Sequence, residues 1–267
     1  MHHKIAVIGA GQMGNGIAQV AAAAGYEVVM RDIEQRFVDG GLKAISRNLR
    51  RMVDKGKLPA EEKAKIQGRI KGTLELKECY DAMVVVEAII ENAALKKQLF
   101  KELDQNCPPH TILASNTSSI SITELAACTK RPDRFIGMHF MNPVPVMKLV
   151  EVIRGVATSD ETAKTIVDLS RKMGKEPVEA QDFPGFIANR ILMPMINEGC
   201  YALMEGGRVL VVRDDHLVEV SVETGLRNWQ FTEVVRGLSL GDPVVVSLDR
   251  VEVVAGAKAR ITGETLK

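Results

Sequence analysis

The sequence has little of what marks metal sites, disulfide scaffolds or proteins that bind through overall charge. Its 267 residues include four cysteines, and no two of them form a Cys-x-x-Cys pair. This argues against a zinc site, a redox motif and a disulfide framework. The 35 basic residues nearly balance the 34 acidic ones, so no overall field attracts a nucleic acid or an anionic membrane. An anionic ligand must therefore be met by a local cluster of cations.

Long apolar runs are also missing. Runs such as residues 83–86 and 209–212 are far shorter than the roughly 20 residues needed to span a bilayer. Polar residues and glycines interrupt the first apolar stretch too often for a secretory signal. We therefore expect a cytoplasmic protein without a membrane partner. Hydrophobic residues make up 46% of the chain, which is enough to bury a core and excludes general disorder.

Residues 4–181 alternate short apolar runs with longer amphipathic stretches. This pattern is typical of βα units around a mostly parallel sheet, an α/β fold of Rossmann type. The predicted strands are residues 4–9, 27–31, 83–88, 111–115, 134–140 and 148–153. The predicted helices are residues 14–24, 33–55, 60–70, 93–106 and 160–173.

The rest of the chain changes character twice. Pro184 begins a predicted helix that is too broadly apolar for a solvated surface, so the helix needs a partner. After the Gly206–Gly207 pair, residues 218–223 alternate valine with polar residues, which is a β pattern. Shorter β-type runs follow at residues 229–235 and 244–248. The predicted parts are a Rossmann domain over 1–183, an inter-domain helix over 184–206 and a small antiparallel β-rich module over 207–267.

A glycine motif for dinucleotides follows the first predicted strand. Residues 9–14 read Gly-Ala-Gly-Gln-Met-Gly and open a helix, which is the setting in which such a motif binds a pyrophosphate. Gly9 permits a tight turn, Gly11 leaves room for the pyrophosphate, and Gly14 lets helix and strand pack closely. The candidate cofactor-binding residues of this segment are Gly9, Gly11, Gln12, Met13 and Gly14.

The choice of dinucleotide depends on Asp32, which ends the next predicted strand. An aspartate there can accept hydrogen bonds from both ribose hydroxyls and would repel a 2′-phosphate. The sequence therefore favours NAD over NADP. Arg31 and Arg36 lie close by and weaken that preference.

Polar residues gather after two further predicted strands. Ser118 follows residues 111–115, and His139 lies near the end of 134–140, so both should reach the carboxyl edge of the sheet, where ligands bind. Glu151 stands in an otherwise apolar strand, where an unpaired acid is costly, and His139 is its obvious partner. A carboxylate on one imidazole nitrogen raises the basicity of the other, which suits removal of a hydroxyl proton as hydride leaves. Asn189 adds a neutral donor for a developing carbonyl or thioester oxygen.

Residues 1 to about 206 resemble the short-chain L-3-hydroxyacyl-CoA dehydrogenases, which include the bacterial 3-hydroxybutyryl-CoA dehydrogenases. The motifs that carry the resemblance are residues 9–14, 114–119, 137–145, 147–153 and 184–190. The resemblance implies that His139 is the catalytic base, with Glu151 as its orienting partner. It also implies that Ser118 and Asn189 contact the substrate. The positions that it places at the nicotinamide end of NAD are Glu91, Lys96, Asn116 and Asn142.

The family also binds coenzyme A on a helical segment between its second and third strands. In this chain that segment contains a local cluster of cations: Arg47, Arg50, Arg51, Lys55 and Lys57. Arg51 and Lys55 lie one turn apart on one helix face and match the family's CoA-binding positions, so they are candidates for the adenine-ribose phosphates. The alternative is a helix face that is merely solvated.

The resemblance stops near residue 206. In the family, the helix at Pro184 begins an all-helical domain that closes over the acyl-CoA and forms the dimer interface. Residues 207–267 lack the Asn-His-Pro-Met-Gly-Pro signature of that domain. Residues 237–245 instead resemble the terminal β-rich region of periplasmic efflux adaptor proteins. Two unrelated patterns that meet at Gly206–Gly207 suggest a gene fusion, an assembly artefact or a chimera.

Three interpretations remain open on the sequence. The first is an NAD-dependent 3-hydroxyacyl-CoA dehydrogenase that transfers hydride at C3 of a short-chain acyl-CoA. The second is a catalytically weak dinucleotide-binding chimera that lacks the helical substrate and dimerisation domain. The third is an interaction protein whose β-rich tail is the functional part. A homo-oligomer is compatible with the first, although most of the family's dimer interface is missing.

Overall fold

The computed structural model describes residues 4–204, 208–227, 232–245 and 253–259. The chain divides into two compact units, Met1–Asn189 and Arg190–Lys267. Within the described ranges, no helix combines the length and apolarity needed to cross a bilayer. The predicted junction at Gly206–Gly207, part of the run 229–235 and part of the run 244–248 lie outside the described residues.

The first unit is built on an eight-stranded sheet. Its strands are β1 (Lys4–Ile8), β2 (Glu27–Arg31), β3 (Ile70–Thr73), β4 (Val84–Glu87), β5 (Ile112–Ser115), β6 (Phe135–Phe140), β7 (Leu149–Arg154) and β8 (Glu176–Gln181). Their order across the sheet is β3-β2-β1-β4-β5-β6-β7-β8. The pairings are parallel except for β6 with β7. The predicted Rossmann-type fold is confirmed.

Helices cover both faces of this sheet. They are α1 (Gln12–Ala23), α2 (Gln35–Asp54), α3 (Ala60–Gly68), α4 (Ala93–Asn106), α5 (Ile122–Ala126) and α6 (Asp160–Lys172). Ile5 and Val7 of β1 belong to one buried apolar cluster, whereas Ala6 and Ile8 belong to another. Since alternate residues of a strand point to opposite faces, the sheet is buried on both sides, which explains its continuous apolar runs.

The sequence pattern missed the two edge strands, β3 and β8, and the short helix α5. β3 has the sequence Ile-Lys-Gly-Thr, and β8 contains Pro177 and two glutamates. An edge strand needs neither a donor on its outer side nor two apolar faces, so it tolerates proline and charge and shows no apolar run. The predicted helix at 60–70 ended too late, because Ile70 begins β3.

The strand order of the sheet reverses between β1 and β4. β2 and β3 lie on one side of β1, and β4, β5 and β6 follow on the other side. In a doubly wound sheet, ligands bind at the carboxyl ends of the strands beside such a reversal. Gly9 follows β1 there, and Ala88 follows β4.

Helix α7 (Ala188–Met204) begins later than the sequence predicted. Pro184 is not part of it, because Gly185 and Phe186 adopt left-handed backbone conformations, with φ of 79° and 50°. Several apolar side chains of its first turns are exposed, among them Ile191 and Met195.

The described residues of the second unit form two antiparallel strand pairs. They are β9 (Arg208–Arg213) with β10 (His216–Ser221), and β11 (Glu223–Arg227) with β12 (Thr232–Arg236). Asp214 and Asp215 join the first pair with positive φ at both positions, as a type I′ two-residue hairpin requires. The predicted antiparallel β patterning is therefore confirmed within the described residues.

Candidate active site

The glycines of residues 9–14 close the turn after β1. Gly9 has a φ of 106°, and a Cβ there would lie 2.4 Å from the Ala88 oxygen. A Cβ on Gly14 would lie 1.7 Å from the Gly9 oxygen, so α1 packs directly on the turn. Gly11 has no neighbour within 4 Å of its Cβ position. An open backbone at the start of α1 is what a pyrophosphate requires, and these residues fit a dinucleotide.

Asp32 is tied to this glycine turn. Its Oδ2 accepts a hydrogen bond from the Ala10 amide at 2.7 Å, and its Oδ1 accepts one from the Ile33 amide at 2.7 Å. The two neighbouring arginines have other partners. Arg31 Nε donates to the Leu74 oxygen at 3.1 Å, and Arg36 Nε lies 2.8 Å from Glu34 Oε2. With both cations engaged, the carboxylate at Asp32 favours a free ribose hydroxyl over a 2′-phosphate.

His139 and Glu151 are direct partners across the antiparallel pair of β6 and β7. Residues directly opposite in such a pair point to the same face of the sheet. His139 Nδ1 lies 2.7 Å from Glu151 Oε2, and both side chains are buried. The structure thus brings together the two residues that the sequence predicted to pair.

Glu151 is held as a carboxylate through both of its oxygens. Its Oε1 accepts hydrogen bonds from the amides of Ile187 and Ala188, each at 2.8 Å. Burial opposes ionisation, but the hydrogen bonds from His139 and from these two amides outweigh it and lower the pKa of Glu151. An ionised carboxylate only accepts hydrogen bonds, so His139 Nδ1 donates to Glu151, and in the neutral imidazole the lone pair is on Nε2.

The basic nitrogen of His139 faces Ser118. Ser118 Oγ lies 2.9 Å from His139 Nε2, and Ser118 is exposed. Asn189 is close to the same residue, with its Nδ2 at 3.5 Å from the backbone carbonyl oxygen of Ser118. The ring of Phe186 packs edge-on against the imidazole, with centroids 5.8 Å apart. A proton acceptor, a hydroxyl and an amide therefore meet at one point, where a substrate hydroxyl could be deprotonated.

The loop that carries Ser118 is anchored by Glu91. Glu91 Oε1 accepts hydrogen bonds from the amides of Ser118 and Ser119, at 3.0 and 3.2 Å, and from the hydroxyl of Thr117. Burial opposes its ionisation, but the Thr117 hydroxyl and the charge of Lys96 outweigh burial and lower the pKa of Glu91. The Glu91 side chain remains 40% exposed. It is therefore a carboxylate beside the Ser118 loop that is fixed by hydrogen bonds and still accessible to solvent.

The other residues assigned to the nicotinamide end differ in exposure. Asn116 follows β5, and its Oδ1 accepts a hydrogen bond from the Phe140 amide at 2.9 Å, which joins the ends of β5 and β6. Asn142 is exposed in the loop after β6, before a cis peptide bond to Pro143. Lys96 is buried, with its Nζ 3.2 Å from Glu91 Oε2. Lys96 therefore lies behind Glu91 instead of at the surface.

Helix α2 presents cations on its exposed side. Its buried residues are Val38, Gly41, Ile45 and Leu49. Arg51 and Lys55 lie away from that buried stripe and are both exposed. Arg50, and not Arg51, makes the i,i+4 ion pair with Asp54, at 4.0 Å. Arg51 and Lys55 are thus accessible to an anionic ligand.

The sequence reasoning missed two residues beside this site, Glu87 and Phe186. Glu87 ends β4 and is fully buried, with its Oε1 2.5 Å from Lys96 Nζ. Glu87, like Glu151, is an acid in an apolar strand, where an unpaired acid is costly, and this pattern marks it as a residue that needs a partner. Phe186 lies within the motif of residues 184–190, but its contact with His139 depends on the left-handed turn before α7.

Comparison with known proteins gives a consistent result. The model of the NAD-binding domain of 3-hydroxyacyl-CoA dehydrogenase matches residues 4–183. A Bacillus subtilis protein named probable 3-hydroxybutyryl-CoA dehydrogenase is 57% identical over 203 residues, which cover 76% of this chain and 71% of that protein. A 3-hydroxybutyryl-CoA dehydrogenase of Bradyrhizobium diazoefficiens is 50% identical over 203 residues, 76% and 69% of the two chains. The crystal structure of (S)-3-hydroxybutyryl-CoA dehydrogenase from Ralstonia eutropha aligns with a TM-score of 0.75 at 48% identity, over 77% of this chain and 72% of that one.

Proposed function

Because the chain belongs to the 3-hydroxyacyl-CoA dehydrogenase family, we propose that it interconverts a short-chain L-3-hydroxyacyl-CoA and the corresponding 3-ketoacyl-CoA with NAD. The observation that carries this proposal is the His139–Glu151 pair with Ser118 at the free imidazole nitrogen. Relatives named for 3-hydroxybutyryl-CoA support a four-carbon acyl group as the first substrate to test. The cytoplasm, which supplies both NAD and acyl-CoA, is the proposed location.

The chain's own residues handle the proton. His139 Nε2 takes the proton from the 3-hydroxyl group during oxidation and returns it to the 3-keto oxygen during reduction. Glu151 keeps the other nitrogen protonated and stabilises the imidazolium that forms. The bound NAD supplies the acceptor or donor of the hydride at C3.

Ser118 and Asn189 position the substrate. The Ser118 hydroxyl, 2.9 Å from His139 Nε2, can hold the substrate oxygen beside the base. The Asn189 amide can donate a hydrogen bond to a carbonyl or thioester oxygen as negative charge develops on it. Glu91 and Asn116 hold the ends of the neighbouring loops in place, so the groups that meet the substrate are already arranged before it binds.

Oxidation of NADH by acetoacetyl-CoA tests the proposal directly. Turnover that depends on the acyl-CoA supports the dehydrogenase. Binding of NADH without turnover would contradict it and favour the catalytically weak NAD-binding chimera. One observation supports that alternative. Within the described residues, antiparallel strand pairs follow α7.

We expect Asp32→Ala to weaken NADH binding about 10- to 100-fold, because the variant loses hydrogen bonds to a charged acceptor. The preference for NADH over NADPH should narrow as well, since the charge that repels a 2′-phosphate is gone. Titration of both coenzymes by fluorescence measures the two effects. Asp39→Ala, which removes an exposed carboxylate of α2, should bind NADH as the wild type does. Unchanged affinity for both coenzymes in Asp32→Ala would show that this residue does not meet the ribose.

The double variant Arg51→Ala/Lys55→Ala should raise the KM for acetoacetyl-CoA by roughly 5- to 10-fold, because two charge-assisted hydrogen bonds to phosphate are lost near solvent. The KM for an acetoacetyl-pantetheine analogue, which lacks these phosphates, should stay the same. Steady-state kinetics with both substrates measures the difference. Lys164→Ala/Arg171→Ala removes two exposed cations from α6 and serves as the control. Equal effects on both substrates would exclude a phosphate contact.

A further inference from the structure

A buried ion pair lies behind the Ser118 loop and is not used in the mechanism above. The side chain of Glu87 is 0% exposed and that of Lys96 is 1% exposed, with 2.5 Å between Oε1 and Nζ. Charges this deeply buried contribute little net stability, because the cost of removing them from water offsets their attraction. The position of this pair therefore calls for an explanation other than stability.

Glu87 reaches the Ser118 loop by two separate routes. On one side its Oε2 accepts a hydrogen bond from Ser115 Oγ at 2.6 Å, and Ser115 Oγ accepts one from the Thr117 amide at 3.2 Å. On the other side its Oε1 holds Lys96, whose Nζ lies 3.2 Å from Glu91 Oε2.

The second route continues from Glu91 to the loop itself. Glu91 Oε1 accepts hydrogen bonds from the amides of Ser118 and Ser119, at 3.0 and 3.2 Å. Both routes therefore end at residues 117–119, and both begin at the same carboxylate. A third contact, from the Ile89 amide to Glu87 Oε1 at 2.8 Å, fixes that carboxylate to the end of its own strand.

We propose that Glu87 is a positioning residue that sets Ser118 against His139 through Ser115 on one side and through Lys96 and Glu91 on the other. The proposal rests on the proposed function, since Ser118 matters to catalysis only in that reaction. Glu87 itself is buried and touches no substrate. Its carboxylate geometry supplies an acceptor on each oxygen, which a neutral amide cannot do because one of its two polar atoms is a donor.

Glu87→Gln is the variant that tests the proposal, because it keeps the shape of the side chain. In the wild type, Glu87 Oε2 accepts a hydrogen bond from Ser115 Oγ, but an amide nitrogen at this position would donate to Ser115 Oγ. Lys96 would also lose the negative charge that Glu87 places beside it. We expect the amides of residues 117–120 to exchange with deuterium about tenfold faster than in the wild type, since local opening becomes easier. The kcat/KM for acetoacetyl-CoA should fall about tenfold, with the Kd for NADH within about threefold of the wild type.

A double-variant cycle with Ser118→Ala separates positioning from other causes. If Glu87 acts through Ser118, Glu87→Gln should cost less than about threefold in kcat/KM in the Ser118→Ala background. Asp104→Asn is the matched control. It weakens a second, largely buried ion pair at the far end of α4, that of Asp104 with Arg131 at 2.7 Å, whose side chains are 6% and 11% exposed. It should lower the melting temperature without faster exchange at 117–120 and without loss of turnover.

The outcomes decide the proposal in each case. Exchange at 117–120 that stays within about twofold of the wild type overturns it, whatever the kinetics. It is also overturned if Asp104→Asn raises that exchange equally, or if the Glu87→Gln loss persists in the Ser118→Ala background. If the wild type does not turn over acetoacetyl-CoA, the proposed function fails, and the exchange measurement alone decides whether Glu87 positions the loop.

Discussion

His139→Gln is expected to reduce the kcat for acetoacetyl-CoA reduction by about 10²–10⁴-fold, the usual contribution of a general acid or base. Glutamine can still bond to Glu151 and Ser118 but has no group that gains and loses a proton near neutral pH. Binding of NADH should change little, since the glycine turn follows β1, and β4 and β5 separate β1 from the strand of His139. Steady-state kinetics and coenzyme titration measure the two quantities separately.

The exposed His110 provides the control. His110→Gln should retain wild-type turnover. His110 precedes β5, at the amino ends of the parallel strands, whereas His139 lies near the carboxyl end of β6. If His139→Gln keeps turnover within about tenfold of the wild type, another group transfers the proton and His139 is not the base.

Glu151→Gln should reduce kcat by about 10⁴-fold, the effect of amide substitution at the carboxylate of a serine protease triad. The amide nitrogen of glutamine can donate to His139 Nδ1, which would place the histidine proton on Nε2. A protonated Nε2 cannot accept a proton from the substrate, so the base is present but in the wrong tautomer. Glu179→Gln, on the exposed side of β8, is the control and should be fully active. A Glu151→Gln enzyme with wild-type kcat would contradict the orienting role.

The same variant has a signature in stability against pH. The pKa of Glu151 is lower in the folded state than its ordinary value. Its charge therefore stabilises the fold above about pH 4.3, the unfolded pKa, and this contribution is lost as the pH falls through the lower folded-state pKa. Urea unfolding should show a smaller loss of stability between pH 6 and pH 3 for Glu151→Gln than for the wild type. An equal loss would mean that Glu151 has no depressed pKa.

The interior strands and the glycine turn of the first unit are predictable from the sequence, because burial and close backbone contacts restrict which residues can occupy them. β1 and β4 are buried on both faces and read as apolar runs, and Gly9 and Gly14 occupy places where a Cβ would collide with backbone. The pairing of His139 with Glu151 follows from the cost of leaving an acid alone in an apolar strand.

What the sequence could not predict depends on long-range pairing. β3 and β8 are edge strands, which need no apolar pattern of their own. The contact of Glu151 with the amides of Ile187 and Ala188 depends on a left-handed turn at Gly185 and Phe186. The sequence instead predicts a helix that begins at Pro184. The resemblance of residues 237–245 to efflux adaptor proteins stays a prediction.

The register of β6 and β7 determines how the His139–Glu151 pair responds to insertions and deletions. His139 and Glu151 face each other across a ladder of backbone hydrogen bonds, so their separation does not depend on the loop of residues 141–148. The ladder, and not this loop, keeps the imidazole on its carboxylate. One residue inserted within either strand would instead turn one of the two side chains to the opposite face. An insertion in β6 or β7 is therefore expected to separate His139 from Glu151, whereas a change of length in the loop does not by itself alter their register.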